Sequence, residues 1–154
     1  MPDALSVRTG QDKDIDSLVK HNLALAQETE QKRLSPPIVT QGVQMLLKNP
    51  QFGFYVVAEF ENEVAGSCMV TYEWSDWRCS LFWWIQSVYV KPEFRRQGIF
   101  RQLYEFLKKK ASHEQNVCGF RLYVLQTNNT GQFTYAGVGM KEIPYKFYEE
   151  SFEE

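Results

Sequence analysis

The sequence predicts an α/β (α+β) fold in which a mixed central sheet of about six to seven strands is flanked by about four helices. Segments rich in β-branched and aromatic residues interleave with segments whose apolar residues recur at helical spacing. An almost continuously apolar run over residues 81–90 is typical of a central strand that is buried on both faces. With 154 residues and 44% hydrophobic content, the chain is expected to form a single domain over residues 1–154.

The first third of the chain predicts one strand and two helices. Residues 5–9 alternate between apolar and polar side chains, and residues 15–26 carry an apolar stripe. The Ser-Pro-Pro sequence at residues 35–37 breaks the chain. Thr40 is therefore the expected N-cap of the second helix, which residues 49–50 (Asn-Pro) should end.

The middle of the chain predicts three strands followed by a helix. Residues 54–60 and 64–72 have strand-like composition, and the polar residues 61–63 between them suit a hairpin turn. The apolar run over residues 81–90 is the third strand. Apolar residues then recur at helical spacing after Gly98, so a helix should begin there.

The last third predicts a further strand, a short helix and the end of the sheet. Residues 120–125 are apolar, and Asn128 is a suitable cap for a helix that carries Tyr135. Gly139 can end that helix in the left-handed conformation. Residues 140–148 leave room for one or two closing strands.

The composition narrows the classes of function. A formal net charge of −2 argues against a nucleic-acid partner, which requires many clustered cations. The sequence contains no long uncharged apolar run and no signal-peptide pattern, so we expect a cytoplasmic protein with no membrane partner. Cys68, Cys79 and Cys118 lack the spacing of metal ligands, and no metal is expected.

Residues 88–107, which read VYVKPEFRRQGIFRQLYEFL, predict a strand, a basic turn and a helix. The first amides of such a helix have no intrahelical partner and would point into the turn. Gly98 removes the side chain that would keep a ligand's oxygens away from this backbone. The turn therefore predicts a phosphate site, although the run lacks the G-K-[ST] and G-x-G-x-x-G patterns of nucleotide-binding loops.

The pattern V-x-P-x-x-R-x-x-G-[IV] in this run resembles the acetyl-CoA signature of the GCN5-related N-acetyltransferase (GNAT) family. A second segment, LYVLQTNNTGQFTYAGVGM, resembles the family's other signature, in which Asn128, Tyr135 and Gly139 take the matching positions. Phe100 departs from the family, which usually has a small residue there. A bulky side chain at this position must turn away from the ligand, so that only its amide faces a phosphate.

The resemblance implies that acetyl-CoA is the co-substrate and that Tyr135 is the catalytic general acid. A phenol whose pKa is near 10 remains protonated at neutral pH and can donate a proton to a departing thiolate. The strand should splay near residues 88–90, so that its backbone pairs with the pantetheine arm. The cofactor-binding residues implied in this way are Val88, Tyr89, Val90, Arg95, Arg96, Gln97, Gly98, Ile99, Phe100, Arg101 and Asn128.

The residues expected to bind the acceptor amine match the family pattern less well than the residues expected to bind acetyl-CoA. Many family members have an acidic residue just before the V-x-V stretch, but Gln86 and Ser87 stand there and neither can act as a base. Glu28 and Glu73 are the candidates to attract an amine or to relay its proton, and Trp74 is the candidate to wall its pocket. The adjacent Trp83 and Trp84 should point to opposite faces of their strand.

The resemblance thus implies an N-acetyltransferase that moves the acetyl group of acetyl-CoA to a primary amine by direct attack. A small amine, a polyamine, an amino acid and a protein amino group are all open as acceptors. The missing strand carboxylate keeps a non-catalytic acyl-CoA-binding or sensor domain as the alternative, and an aromatic-rich interaction domain ranks third. A homodimer is an option, because an exposed final strand could pair with a second chain.

Overall fold

A five-stranded mixed sheet forms the centre of the computed structural model, which describes residues 5–153. The strands are β1 (Ser6–Thr9), β2 (Gly53–Phe60), β3 (Glu63–Ser75), β4 (Ser80–Val90) and β5 (Val117–Arg121). The helices are α1 (Ile15–Glu30), α2 (Pro36–Lys48), α3 (Ile99–Ser112) and α4 (Asn129–Gly137). Short 3-10 turns at Asp12–Asp14 and Pro92–Phe94 precede α1 and α3. In the described part of the chain, no helix is long and apolar enough to cross a bilayer.

The strands lie in the order β1-β2-β3-β4-β5, and only the β4–β5 pair is parallel. The mixed sheet and the four α-helices confirm the predicted fold class. The strand count is five over the described residues, lower than the expected six to seven, because residues 140–148 form no strand. Pro144 cannot donate a ladder hydrogen bond, and the ring of Phe147 packs on a face of the sheet.

The sheet separates two apolar cores. Leu18, Val43 and Val57 belong to the core that α1 and α2 form on one face. Leu103 and Leu107 of α3 belong to the core on the other face, against which Tyr135 of α4 also packs. Trp83 is buried on the α3 face, and alternation along β4 places Trp84 on the α1 face, as predicted.

Two predicted boundaries are wrong. The second helix begins at Pro36, with Ser35 at the N-cap. Two prolines fit the first helical turn because amides there make no intrahelical hydrogen bond, so none is lost where proline lacks the amide hydrogen. Thr40 is inside α2, and its hydroxyl donates to the carbonyl of Pro36 at 2.8 Å. The fifth strand is Val117–Arg121 and not 120–125.

The fifth strand ends at Arg121, earlier than predicted, because β4 and β5 separate there. Their pairing ends at Trp84 and Arg121, so the predicted splay begins earlier along β4 than residues 88–90. On the other side of β4, Ser67 pairs with Tyr89 and Met69 with Gln86, so two residues of β4 oppose one of β3. Ser87 in this bulge has a φ of 51°, and the bulge bends β4 away from residues 122–125.

An ion pair fixes the start of α1 to the sheet edge. Both terminal nitrogens of Arg8 donate to the Asp14 carboxylate at 2.8 Å, and its Nε donates to Glu59 at 3.0 Å. Burial alone would raise the pKa of Asp14, but the hydrogen bonds from Arg8 and from the Gln11 amide lower it below its usual value. The ionised carboxylate therefore holds α1 in place as one wall of the cleft described next.

Candidate active site

A cleft of about 430 Å³ opens where β4 and β5 part. One wall is α1 with the residues just beyond it, and the other consists of β4 beyond Trp84, the segment after β5, and α4. The lining residues are Asn22, Leu25, Ala26, Thr29, Glu30, Lys32, Leu34, Gln86, Ser87, Val88, Tyr123, Val124, Leu125, Asn128 and Tyr135. The second signature contributes Asn128 and Tyr135 to this list, and Val88 comes from the strand just before the first signature.

The basic turn meets the N-terminus of α3, as the sequence predicts. Gly98 is the N-cap residue with φ 76° and ψ 20°, a left-handed conformation that favours glycine. A Cβ built at this position would find nothing within 4 Å, so a ligand can approach the backbone. The α3 amides that lack intrahelical partners lie directly after it, at the positive end of the helix dipole.

The three arginines of this region lie in different places. Arg95 turns back toward α1, where its Nη2 donates to Glu28 at 2.9 Å and its Nε donates to the Val90 carbonyl at 2.8 Å. Arg101 donates to the Gly137 carbonyl at 2.7 Å and so ties α3 to the end of α4. Arg96, with a φ of 63°, is an exposed cation of the turn. Arg96 is therefore better placed than Arg95 to meet an anion.

The other loop residues contribute backbone rather than side chains. Ile99 and Phe100 are buried in the α3 core, so the Phe100 ring points away from the turn and its amide remains at the start of the helix. Gln97 donates to the Glu93 carbonyl at 3.2 Å. Val90 packs against the same core, whereas Tyr89 lies on the α1 face and contacts His21.

Asn128 and Tyr135 come together at the start and middle of α4. The Asn128 side chain accepts a hydrogen bond from the Gly131 amide at 2.9 Å and caps the helix. The Tyr135 ring packs edge-on against Phe100, at 5.3 Å between centroids. Burial raises the pKa of Tyr135 to about 12, and the nearby Cys68 makes a smaller contribution. Tyr135 is thus a protonated phenol on the wall of the cleft.

The three candidate acceptor residues do not converge on one point. Glu28 is paired with Arg95 and also accepts a long hydrogen bond of 3.4 Å from the Tyr89 hydroxyl. Glu73 is paired with Arg121, whose guanidinium stacks on Phe82 at 3.7 Å. Trp74 is 57% exposed, and strand alternation places it on the α3 face, opposite Glu73.

Sequence reasoning missed the aromatic residues that adjoin the cleft. Tyr123 lines it and contacts Trp84 and Phe147, with ring centroids 6.1 and 4.9 Å away. Tyr123 could have been suspected, since it lies between a strand and the second signature. Phe147 carries no local signal, because its position depends on contacts with Trp84 and Tyr123, which are distant in sequence. Within residues 5–153, no group of three His, Cys, Asp or Glu side chains is arranged to hold a metal.

Comparisons with known proteins agree with this arrangement. The family model described as "Acetyltransferase (GNAT) family" matches residues 19–140, which include the cleft and both signatures. The chain is similar to a possible acetyltransferase from Clostridium difficile 630, with 39% identity and a TM-score of 0.90. That similarity covers 99% of this chain and 100% of the other.

More distant solved structures share the fold. A predicted acetyltransferase with acetyl-CoA from Clostridium acetobutylicum has 18% identity and a TM-score of 0.77, over 95% of this chain and 96% of the other. The ribosomal-protein-alanine N-acetyltransferase from Brucella melitensis biovar Abortus 2308 has 16% identity and a TM-score of 0.78, over 97% and 100%. No curated protein matches the chain significantly.

Proposed function

The chain belongs to the acetyltransferase (GNAT) family, and we propose that it transfers the acetyl group of acetyl-CoA to a primary amine. The observation that carries this proposal is the position of Tyr135, a protonated phenol on the wall of the same cleft that the β4 bulge and Asn128 line. The reaction needs a proton donor for a departing thiolate, and Tyr135 provides one at neutral pH.

The residues present fit the binding of coenzyme A. The open space at Gly98 and the free amides of α3 form a cradle suited to a pyrophosphate, with Arg96 as the exposed cation beside it. The edge of β4 that has parted from β5 leaves backbone groups of residues 86–88 facing the cleft. These groups can pair with the amides of a pantetheine arm, as an added strand would.

Acetyl-CoA supplies an activated thioester, and the protein supplies orientation and a proton. The amine nitrogen bonds to the acetyl carbon as the carbon–sulfur bond breaks, and Tyr135 gives its phenolic proton to the sulfur. An amide and free coenzyme A result, and Tyr135 regains its proton from water. Backbone amides at the β4 bulge can stabilise the charge that develops on the carbonyl oxygen.

The proton that the amine loses must pass to water. Glu30 is the acidic residue among those lining the cleft, and Lys32 pairs with it at 3.3 Å. Glu28 and Glu73 are paired with arginines. The amine therefore reacts as its neutral form, whose share increases with pH, and no side chain of the protein has to act as a strong base.

An acetylation assay tests the proposal. Release of coenzyme A thiol is measured with acetyl-CoA and a panel of primary amines, and the acetylated product is identified by mass spectrometry. We expect at least one amine to give product at a rate that depends on Tyr135. Saturable acetyl-CoA binding without acetylation of any amine in the panel would contradict the proposal and favour the acyl-CoA-binding or sensor role.

A further inference from the structure

We infer that the acceptor end of the cleft recognises a primary amine carried on an aromatic group, and that Phe147 supplies part of the binding surface. The inference rests on the proposed transfer to an amine and specifies the chemical class of that amine. Two observations support the inference. One is a group of three exposed or partly exposed aromatic side chains, and the other is the pairing of the nearby charged groups.

Trp84, Tyr123 and Phe147 form an aromatic platform. The centroid distances are 6.1 Å for Trp84 to Tyr123, 5.9 Å for Trp84 to Phe147 and 4.9 Å for Tyr123 to Phe147. The rings are tilted toward one another at 38° to 63°, and Tyr123 and Phe147 are 60% and 66% exposed. The platform thus presents aromatic surface that a further flat ring can cover.

The platform adjoins the cleft in which Tyr135 lies. Tyr123 belongs to both, because it also lines the cleft. Trp84 lies two residues before Gln86 on the same face of β4, which separates them by about 7 Å along the strand. A ring resting on the platform can therefore extend a short amine-bearing arm toward Gln86 and the cleft interior.

The nearby charges favour an acceptor with one amine over a polyamine. Arg121 satisfies Glu73 on the face of the sheet that carries Trp84, and Lys32 satisfies Glu30 in the cleft. A polycation would have to compete with Arg121 and Lys32 for these carboxylates. An aromatic body gains contact with the platform at no such cost.

The C-terminal segment offers a matched pair of variants. Phe147 contacts Trp84 and Tyr123, whereas the adjacent Tyr148 is 89% exposed. Both side chains are exposed enough for their removal to leave folding intact. Phe147→Ala therefore tests the platform, and Tyr148→Ala controls for the loss of an aromatic ring from the same segment.

The experiment is a calorimetric titration of the full chain, loaded with coenzyme A, with 2-phenylethylamine, ethylamine and spermidine. We expect 2-phenylethylamine to bind at least about tenfold more tightly than either other amine. Phe147→Ala should weaken that binding about fivefold, and Tyr148→Ala should leave it within about twofold of wild type. Steady-state assays should show the same order of KM values for the amines, with the KM for acetyl-CoA unchanged by Phe147→Ala.

The outcomes separate this inference from the proposed function. Tighter binding and faster acetylation of spermidine would overturn the aromatic acceptor while leaving amine transfer in place. Binding of 2-phenylethylamine on the platform without acetylation of any amine would support the platform and overturn the proposed function. Equal binding by wild type and Phe147→Ala would remove Phe147 from the site.

Discussion

Tyr135 is held in place on the wall of this cleft and is protonated at neutral pH. Its ring is held by an edge-on contact with Phe100, and burial raises its pKa to about 12. The phenol therefore stays protonated over the whole range in which an amine becomes neutral. Removing only the hydroxyl should leave the packing in place and take away the proton.

Tyr135→Phe should lower kcat about a hundredfold, in line with the usual contribution of general acids. The affinity for acetyl-CoA should stay within about twofold, because the proposed phosphate cradle at the start of α3 is untouched. Tyr104→Phe is the control, since its ring also packs on Phe100, at 6.0 Å, and it does not line the cleft. An unchanged kcat in Tyr135→Phe across the pH profile would exclude this residue from the mechanism.

His21 is a buried residue that ties α1 to strands β3 and β4 of the sheet. Its Nδ1 and the Ser67 hydroxyl share a hydrogen bond of 2.7 Å, and its ring contacts Tyr89. In the described part of the chain, its Nε2 has no hydrogen-bond partner. Burial, with a smaller effect from the positive charge of Lys91, lowers the pKa of His21 to about 4.

The free energy of unfolding should therefore fall as the pH drops from about 6.5 toward 4. In this window the unfolded chain binds a proton that the buried imidazole does not, so protonation favours unfolding. Between pH 7 and pH 5 the loss attributable to His21 should be about 2 kcal/mol. Urea unfolding of wild type and His21→Gln at both pH values measures it, and the exposed His113→Gln is the control. An equal pH dependence in wild type and His21→Gln would contradict the account.

At the scale of elements, the turn before α3 combines a special backbone conformation with an open approach. Gly98 has a left-handed φ of 76°, and Gly139 after α4 has a φ of 99°. A Cβ at either position would find nothing within 4 Å. The two glycines therefore differ mainly in position: Gly98 lies at the N-terminus of α3, and Gly139 lies just after the C-terminus of α4.

Gly98→Ala should weaken acetyl-CoA binding about tenfold or more, because the added methyl group stands where the ligand approaches the α3 amides. It should also cost about 1–2 kcal/mol of stability, since an L-residue is strained in this conformation. Gly139→Ala should lose comparable stability and keep its affinity for acetyl-CoA. Affinities by calorimetry and stabilities by urea unfolding check both variants, and an equal affinity in the two would place the phosphate site elsewhere.

Elements with strong local signals could be predicted from the sequence. The strand, turn and helix over residues 88–107 follow from composition and spacing, and Gly98 marks the turn. The sequence alone predicts a break at Pro36 and Pro37, although prolines also suit the first turn of a helix. Local patterns also place β5 too late, because the apolar Val124 and Leu125 line the cleft after the strand has ended.

At the scale of the whole molecule, the cleft exists because two neighbouring strands part. The β4 bulge at Ser87 and the loss of pairing after Trp84 and Arg121 separate them. The family match over residues 19–140 agrees with the resemblance that the two signatures predict. The pairing of Glu28 with Arg95, 67 residues apart, depends on long-range packing that no local pattern reports.

The direct test of the central claim is a calorimetric titration of the protein with acetyl-CoA and with S-acetylpantetheine. The second compound keeps the thioester arm and lacks the pyrophosphate that the α3 N-terminus is proposed to hold. We predict saturable binding of one acetyl-CoA per chain and at least about hundredfold weaker binding of S-acetylpantetheine. No binding of acetyl-CoA by folded protein, or equal binding of the two compounds, would contradict the account.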